Sequence, residues 1–220
     1  MTIYIVGTSH VAGESVSKVK KVILSKKPSC VAVELDYNRY VALKTREKGK
    51  GKIKMPLLQK AIFLVLRYVQ GQLSKETNIL PGEEMLAACE CAEEVGAHVA
   101  FIDQDMNITL SKLMAKLGFF GQLKLLLYMG VGILGIPVRG LVMSKEIDLN
   151  KVPDDEFIEY AMGELRKHFP VVYEVLVDER NHVMARNLQK LGDEFEDVVA
   201  VMGAGHVKGV GKLLESRDKN

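Results

Sequence analysis

A chain of 220 residues is long enough for one sizeable core, or at most two small domains. Hydrophobic residues make up 48% of it and charged residues 26%, a balance that excludes an intrinsically disordered chain. A formal net charge of only +2 excludes a whole-chain attraction to nucleic acid.

In chain order, Ile3 to Val6 is a short β-branched run that stops at Gly7. With a strand this early, no secretory leader is expected at the start of this sequence. Ser15 to Ser25 follows with Val16, Val19 and Ile23 on one helical face and Lys18, Lys20 and Lys21 directed elsewhere. After a Pro28-Ser29 break, Cys30 to Leu35 (CVAVEL) reads as a second strand, which the Ser15 helix would pair with the first. Lys44, Arg46, Lys48, Lys50, Lys52 and Lys54 then alternate, relieved only by Glu47. With Gly49 and Gly51 among them they form a solvated loop, the alternative being attraction to an anionic membrane surface or ligand.

Leu57 to Leu73 is a helical stretch outside this rhythm, and Pro81-Gly82-Glu83-Glu84 opens another helix running to about Val95. Cys89 and Cys91 lie two apart on it, about 200° around the axis, so they read as buried small residues and not as a metal pair. Three cysteines, an odd number, point to a reducing compartment and against a disulfide framework. Gly96 stops the helix, and His98 to Ile102 (HVAFI) is the third strand.

Ser111 to Tyr128 is helical and runs into Leu125 to Val138 (LLLYMGVGILGIPV), which is apolar throughout. That run is only about two-thirds of a membrane span, and three glycines and Pro137 interrupt it. A buried helical hairpin, a lid or a contact with a second subunit suits it better, with a shallow membrane-surface contact as the alternative. A long helix from about Val171 to Leu191 carries Leu176, Arg180, Met184 and Leu188 in one line. Val198 to Met202 (VVAVM) is the last strand.

Four nearly continuous apolar strands, each read as buried on both faces, alternate with helices. They predict one α/β domain over residues 1–220 with a mostly parallel central sheet flanked by helices. Helical insertions at about 44–80 and 107–150 would cap the C-terminal edge of the strands, where α/β proteins bind ligands.

Every strand exits through polar residues. The first runs into Gly7-Thr8-Ser9-His10, the second carries Glu34 and then Asp36, the third exits through Asp103 and Asp105, and the last runs into Gly203-Ala204-Gly205-His206. In a parallel sheet these converge on one edge, and imidazole with carboxylate is the usual ligand set for a divalent cation. The alternatives are structural: a histidine after a strand often caps or hydrogen-bonds, and Asp36, Asp103 and Asp105 suit helix N-caps. Glu34 stands out, because a carboxylate inside an apolar run needs a partner or a metal. Gly203, Gly205 and Gly209 superficially suit a dinucleotide phosphate loop, but no second strand follows before Asn220. Arg180, beside Glu179 in VLVDERNHVMARNL, faces the apolar side of its helix and wants an anion, either a core carboxylate or a substrate group.

The blocks GTSHVAGES, VAVELDYNRY, PGEEM, FIDQDMNITL, VDERNHVMARNL and VMGAGHVKGV, in this order, resemble the TraB family, which includes PrgY-type pheromone-shutdown proteins and is similar to the Tiki metalloproteases. The resemblance implies a hydrolase-like site in which His10, Glu34 and His206 hold a divalent metal, manganese, cobalt or zinc. Glu34 would be ligand or general base, with Glu179 beside it in the catalytic group. Arg180 would orient the substrate anion and Asp105 would help bind the substrate. Gln104 stands where the family's Asp-Arg-Asp pattern has arginine, and Asn181 where Glu-Arg-Asp is usual. Relatives continue into membrane segments, so a domain of a longer membrane protein is one expectation.

The function expected is a metal-dependent, peptidase-like hydrolase of a peptide or small molecule, cytoplasmic or membrane-associated, with a homodimer as one possible assembly. The rival is a non-catalytic protein that sequesters a peptide or haem under the apolar cap.

Overall fold

The structure, a computed structural model, describes residues 2–8, 13–45, 56–62, 64, 82–133 and 155–217. His10, the basic run after Thr45 and Leu134 to Val138 lie outside them, as does most of residues 44–80.

Four parallel strands form the sheet: β1 (Thr2–Thr8), β2 (Cys30–Val33), β3 (His98–Phe101) and β4 (Asp197–Gly203). Their order is β1-β4-β2-β3, so β1 does not pair with β2 as the sequence predicted. The C-terminal strand lies between them, with Thr8 opposite Gly203 and Val33 opposite Val201. The chemistry of the strands explains the order. Val198 to Met202 is wholly apolar and every one of these residues is fully buried, as a central strand requires. The edge strands β1 and β3 are only partly buried, which corrects the expectation that all four are covered on both faces. At an edge, one side of each strand meets solvent.

Helices cover both faces. On one, α1 (Gly13–Lys26) and α3 (Glu83–Val95) pack Val19, Ile23, Met85 and Ala92 against Val31, Val33, Val199 and Val201. Between them in sequence, α2 (Tyr37–Thr45) leaves the β2 exit. Cys89 and Cys91 belong to this core as free, buried thiols, and burial pushes the Cys89 thiol up to about 12. Gly96 ends α3 at φ 73°, a left-handed turn that costs glycine nothing. The alternation of side chains along each strand sends Cys30, Ala32, Val198, Ala200 and Met202 to the other face. There they meet Met184, Ala185 and Leu188 of α7 (Glu179–Glu194) and Val210 of α8 (Ala204–Arg217).

A third apolar cluster joins Ile62, Leu113, Met114 and Val175. Leu113 and Met114 come from α4 (Met106–Ile133), which bends at Gly118 where φ is 59°. Beyond the bend Leu125 and Leu126 pack on this cluster, while Phe119, Phe120 and Leu127 stand exposed. Among the described residues no helix is long and apolar enough to cross a membrane. The long helix predicted over Val171 to Leu191 is a composite. It comprises α6 (Pro170–Tyr173), a π-helical turn (Glu174–Asp178) and α7, after α5 (Asp155–His168). The wider turn shifts the helical register immediately before Arg180.

Candidate functional site

Because the sheet is parallel, β2, β3 and β4 all deliver their polar exits to the same edge. Glu34 extends the β2 ladder by one bond, its N–H donating to the Val201 carbonyl at 2.9 Å. Its side chain is 3% exposed, and Oε2 accepts the Gly203 N–H at 2.6 Å. Asp103 follows β3, and its own N–H reaches the Leu35 carbonyl. It is fully buried, with Oδ1 accepting the Gln104 N–H at 2.8 Å.

Arg180 joins these two carboxylates. Its Nε donates to Asp103 Oδ1 at 2.9 Å and its Nη2 to Asp103 Oδ2 at 2.7 Å, a two-point fork. The same Nη2 donates to Glu34 Oε1. Nη1 donates to the Leu176 carbonyl at 3.3 Å, inside the π-helical turn. Burial works against the Arg180 charge. The hydrogen bonds of Asp103 and the fields of Glu34 and Asp103 outweigh it and hold the guanidinium above its ordinary pKa. Arg39 adds a second, half-buried cation 3.5 Å from Asp103 Oδ2. Two cations and two anions leave the cluster neutral, as a desolvated site requires.

His206, in the first turn of α8, completes the group. Its Nδ1 lies 2.7 Å from Asn181 Oδ1 and its Nε2 is 3.4 Å from both Arg180 Nη1 and Glu34 Oε1. A guanidinium only donates and an amide oxygen only accepts. Nδ1 therefore carries the proton that the Asn181 oxygen accepts, and Nε2 stands between the Arg180 donor and the Glu34 acceptor. Asn181 is itself wedged by Gly209, where an added Cβ would collide with the Asn181 amide.

The other sequence-marked residues stand apart from this cluster. Asp105 caps α4 through the Asn107 N–H at 2.7 Å and accepts from Asn38. That Asn107 bond, foremost, holds its carboxyl below the usual range. Glu179 turns away from Arg180 to Lys116 at 2.6 Å and Lys112 at 2.9 Å, which lower its pKa. Asp36 caps α2 through the Arg39 N–H. Gln104, where the family pattern has arginine, binds Thr109 and Lys112.

Two residues matter more than the sequence suggested. Asp103 was visible only as one of several strand-exit acids, and its pairing with Arg180 spans 77 positions. Asn181 registered as a departure from a pattern, and its grip on His206 was not foreseen. Its position directly after Arg180 was the only signal.

Among the described residues no group of three or more His, Cys, Asp or Glu side chains is placed to hold a metal ion, and His10 lies outside them. Two donors do meet: His206 Nε2 and Glu34 Oε1 stand 3.4 Å apart, and the other ring nitrogen is tied to Asn181 as metal-binding imidazoles usually are tied. An ion there would have to share Glu34 with Arg180, whose fork on Asp103 would remain.

The TraB/PrgY/gumN family profile matches residues 1–220. The chain belongs to this family. An uncharacterized protein of Methanocaldococcus jannaschii is 36% identical over 97% of this chain and 53% of its own length. TraB domain-containing proteins of Mus musculus and Homo sapiens are 26% and 25% identical, each over 96% of this chain and 62% of their own. The chain thus spans roughly half to three-fifths of the length of these relatives.

Proposed function

We propose that this TraB-family domain is a metal-dependent hydrolase acting on a peptide or similar substrate at the C-terminal edge of its sheet. One observation carries the reading: Glu34 and His206, 172 positions apart by their numbers, meet at 3.4 Å with the imidazole held in a single orientation. His206, Glu34 and His10 would hold the ion, and its chemistry would be Lewis-acid polarisation and a water activated near neutral pH.

The chain's own groups do the rest. Asn181 fixes the His206 ring so that Nε2 faces the edge. Gly203 N–H and Arg180 each donate a hydrogen bond to Glu34 and so position it to act as ligand or to accept a proton from water. Asp103 anchors two nitrogens of Arg180, and Nη1, which gives one N–H to the Leu176 carbonyl, has its second beside His206 to orient a substrate oxygen. Glu179 is assigned no direct part, since its oxygens are engaged by lysines.

A second reading is a peptide- or haem-sequestering protein without turnover. What favours it is that Arg180 and Arg39 already balance the two carboxylates, so the cluster is complete without an ion.

The experiment is elemental analysis of protein purified without chelator, together with turnover of a quenched-fluorescent peptide pool. Stoichiometric metal and cleavage that a chelator abolishes are expected. Saturable peptide binding with no metal and no cleavage would overturn the proposal in favour of the second reading.

A further inference from the structure

Behind His206 lies a cavity of about 610 Å³. Asn181, which holds the imidazole, forms part of its wall, as do Gly7 and the Ala204-Gly205 start of α8. The cavity thus touches the exits of both Gly-x-x-His strands. Four cationic side chains line it: Lys18 of α1, Arg166 of α5, and Lys208 and Lys212 of α8. Among the described residues only two carboxylates do so, Glu159 and Asp178. Glu159 is committed to Lys208 at 2.7 Å, and that bond, with Lys212 nearby, lowers its pKa. Lys18, Arg166 and Lys212 then face Asp178 alone, an excess of two positive charges. Arg166 is braced over the Tyr173 ring, 5.5 Å from its centroid, and Lys18 reaches the Gly7 carbonyl at 3.3 Å. The first turn of α8 adds the positive end of its dipole on the same side.

We infer that this cavity binds carboxylate groups of the substrate, so that the domain takes peptides with an acidic end. Three cations from three helices surround one space, and among the described residues that line it only Asp178 is left to balance them. The inference rests on the proposed site for its orientation: a peptide seated here would lead past Asn181 toward Glu34 and His206. Binding by itself requires neither metal nor cleavage.

The test is calorimetry on chelator-treated full-length chain with N-acetyl-Ala-Ala-Glu, its C-terminal amide, and the amide of the Gln peptide. The free acid should bind, and each carboxylate removed should weaken binding by about tenfold, as for a lost charge-assisted contact. The two amides separate the terminal from the side-chain carboxylate as the group recognised. The double change Lys18→Ala with Lys212→Ala should cost about tenfold or more, and raised salt should mimic it. Lys212→Glu alone, at an exposed helical position, repeats the test with less risk to the fold. Equal affinity for charged and neutral peptides, no binding of the free acid, or wild-type affinity in both variants would overturn the inference. Because no metal is present, failure of the hydrolase reading would leave this result untouched.

Discussion

Two ionic clusters meet at adjacent residues of one helix. Arg180 is 11% exposed and is locked between Glu34 and Asp103, which are 3% and 0% exposed. Glu179, next to it, joins Lys112, Lys116 and Glu174 in a surface network whose lysines are 44% and 38% exposed. The charges are of the same kinds and the distances similar. Solvent makes the difference. In water a broken pair is replaced by hydration, whereas in the dry cluster the orphaned charge stays unpaired. The inner cluster therefore fixes the geometry of the site, and the outer one trims the surface of α4 against the π-helical turn.

Arg180→Met is the harshest test of this contrast. It strands two buried carboxylates and should destabilise the fold by about 3–5 kcal/mol, read from the urea midpoint. Arg180→Lys keeps the charge but cannot fork onto Asp103 and reach Glu34 as well, so its loss should be intermediate. A near-zero effect of Met would mean that the inner cluster behaves like the outer one.

Gly209→Ala should come next. Its methyl collides with the Asn181 amide, and overpacking of this kind costs roughly 1–3 kcal/mol. The His206 ring resonances in an NMR titration should move as well, since Asn181 holds that ring. A stability loss with unchanged His206 resonances would separate packing from the site.

Glu179→Gln should have the smallest effect, a fraction of that of Arg180→Met, and smaller still at high salt. The pH signs follow from the shifts. The Glu179 carboxyl is lowered, chiefly by its Lys116 bond, so its contribution is present above the ordinary glutamate range. It fades as pH falls through the depressed value. Lys116 is raised by its bonds to Glu174 and Glu179, so its part is present below the ordinary lysine range and is lost as pH rises through the raised value. Denaturation midpoints across pH, wild type against Glu179→Gln, check both signs.

Much of the inner cluster was legible because burial leaves a mark in sequence. Glu34 interrupts an apolar run, Arg180 sits on the apolar line of a helix, and His206 follows a strand and a glycine pair. The partners were not legible, since Asp103 and Arg180 are joined only through the strand order. Nothing local dictates that β4 inserts between β1 and β2. That choice is made by which strand is apolar enough for the centre. The π-helical turn was equally hidden, because Glu174 to Asp178 has no glycine or proline to announce it. Asn181 was the subtlest, since an amide beside an arginine has many ordinary uses.

Whether Glu34 and His206 share an ion is decided most directly by calorimetric titration of chelator-stripped protein with manganese, cobalt and zinc. Wild type should bind at least one of them at one ion per chain. His10→Ala, His206→Ala and Glu34→Gln should each lose most of that affinity, and the two histidine changes together should add little to either alone. Equal affinity in wild type and in both histidine variants would contradict the metal site and leave the cluster around Arg180 as a purely structural or ligand-binding device.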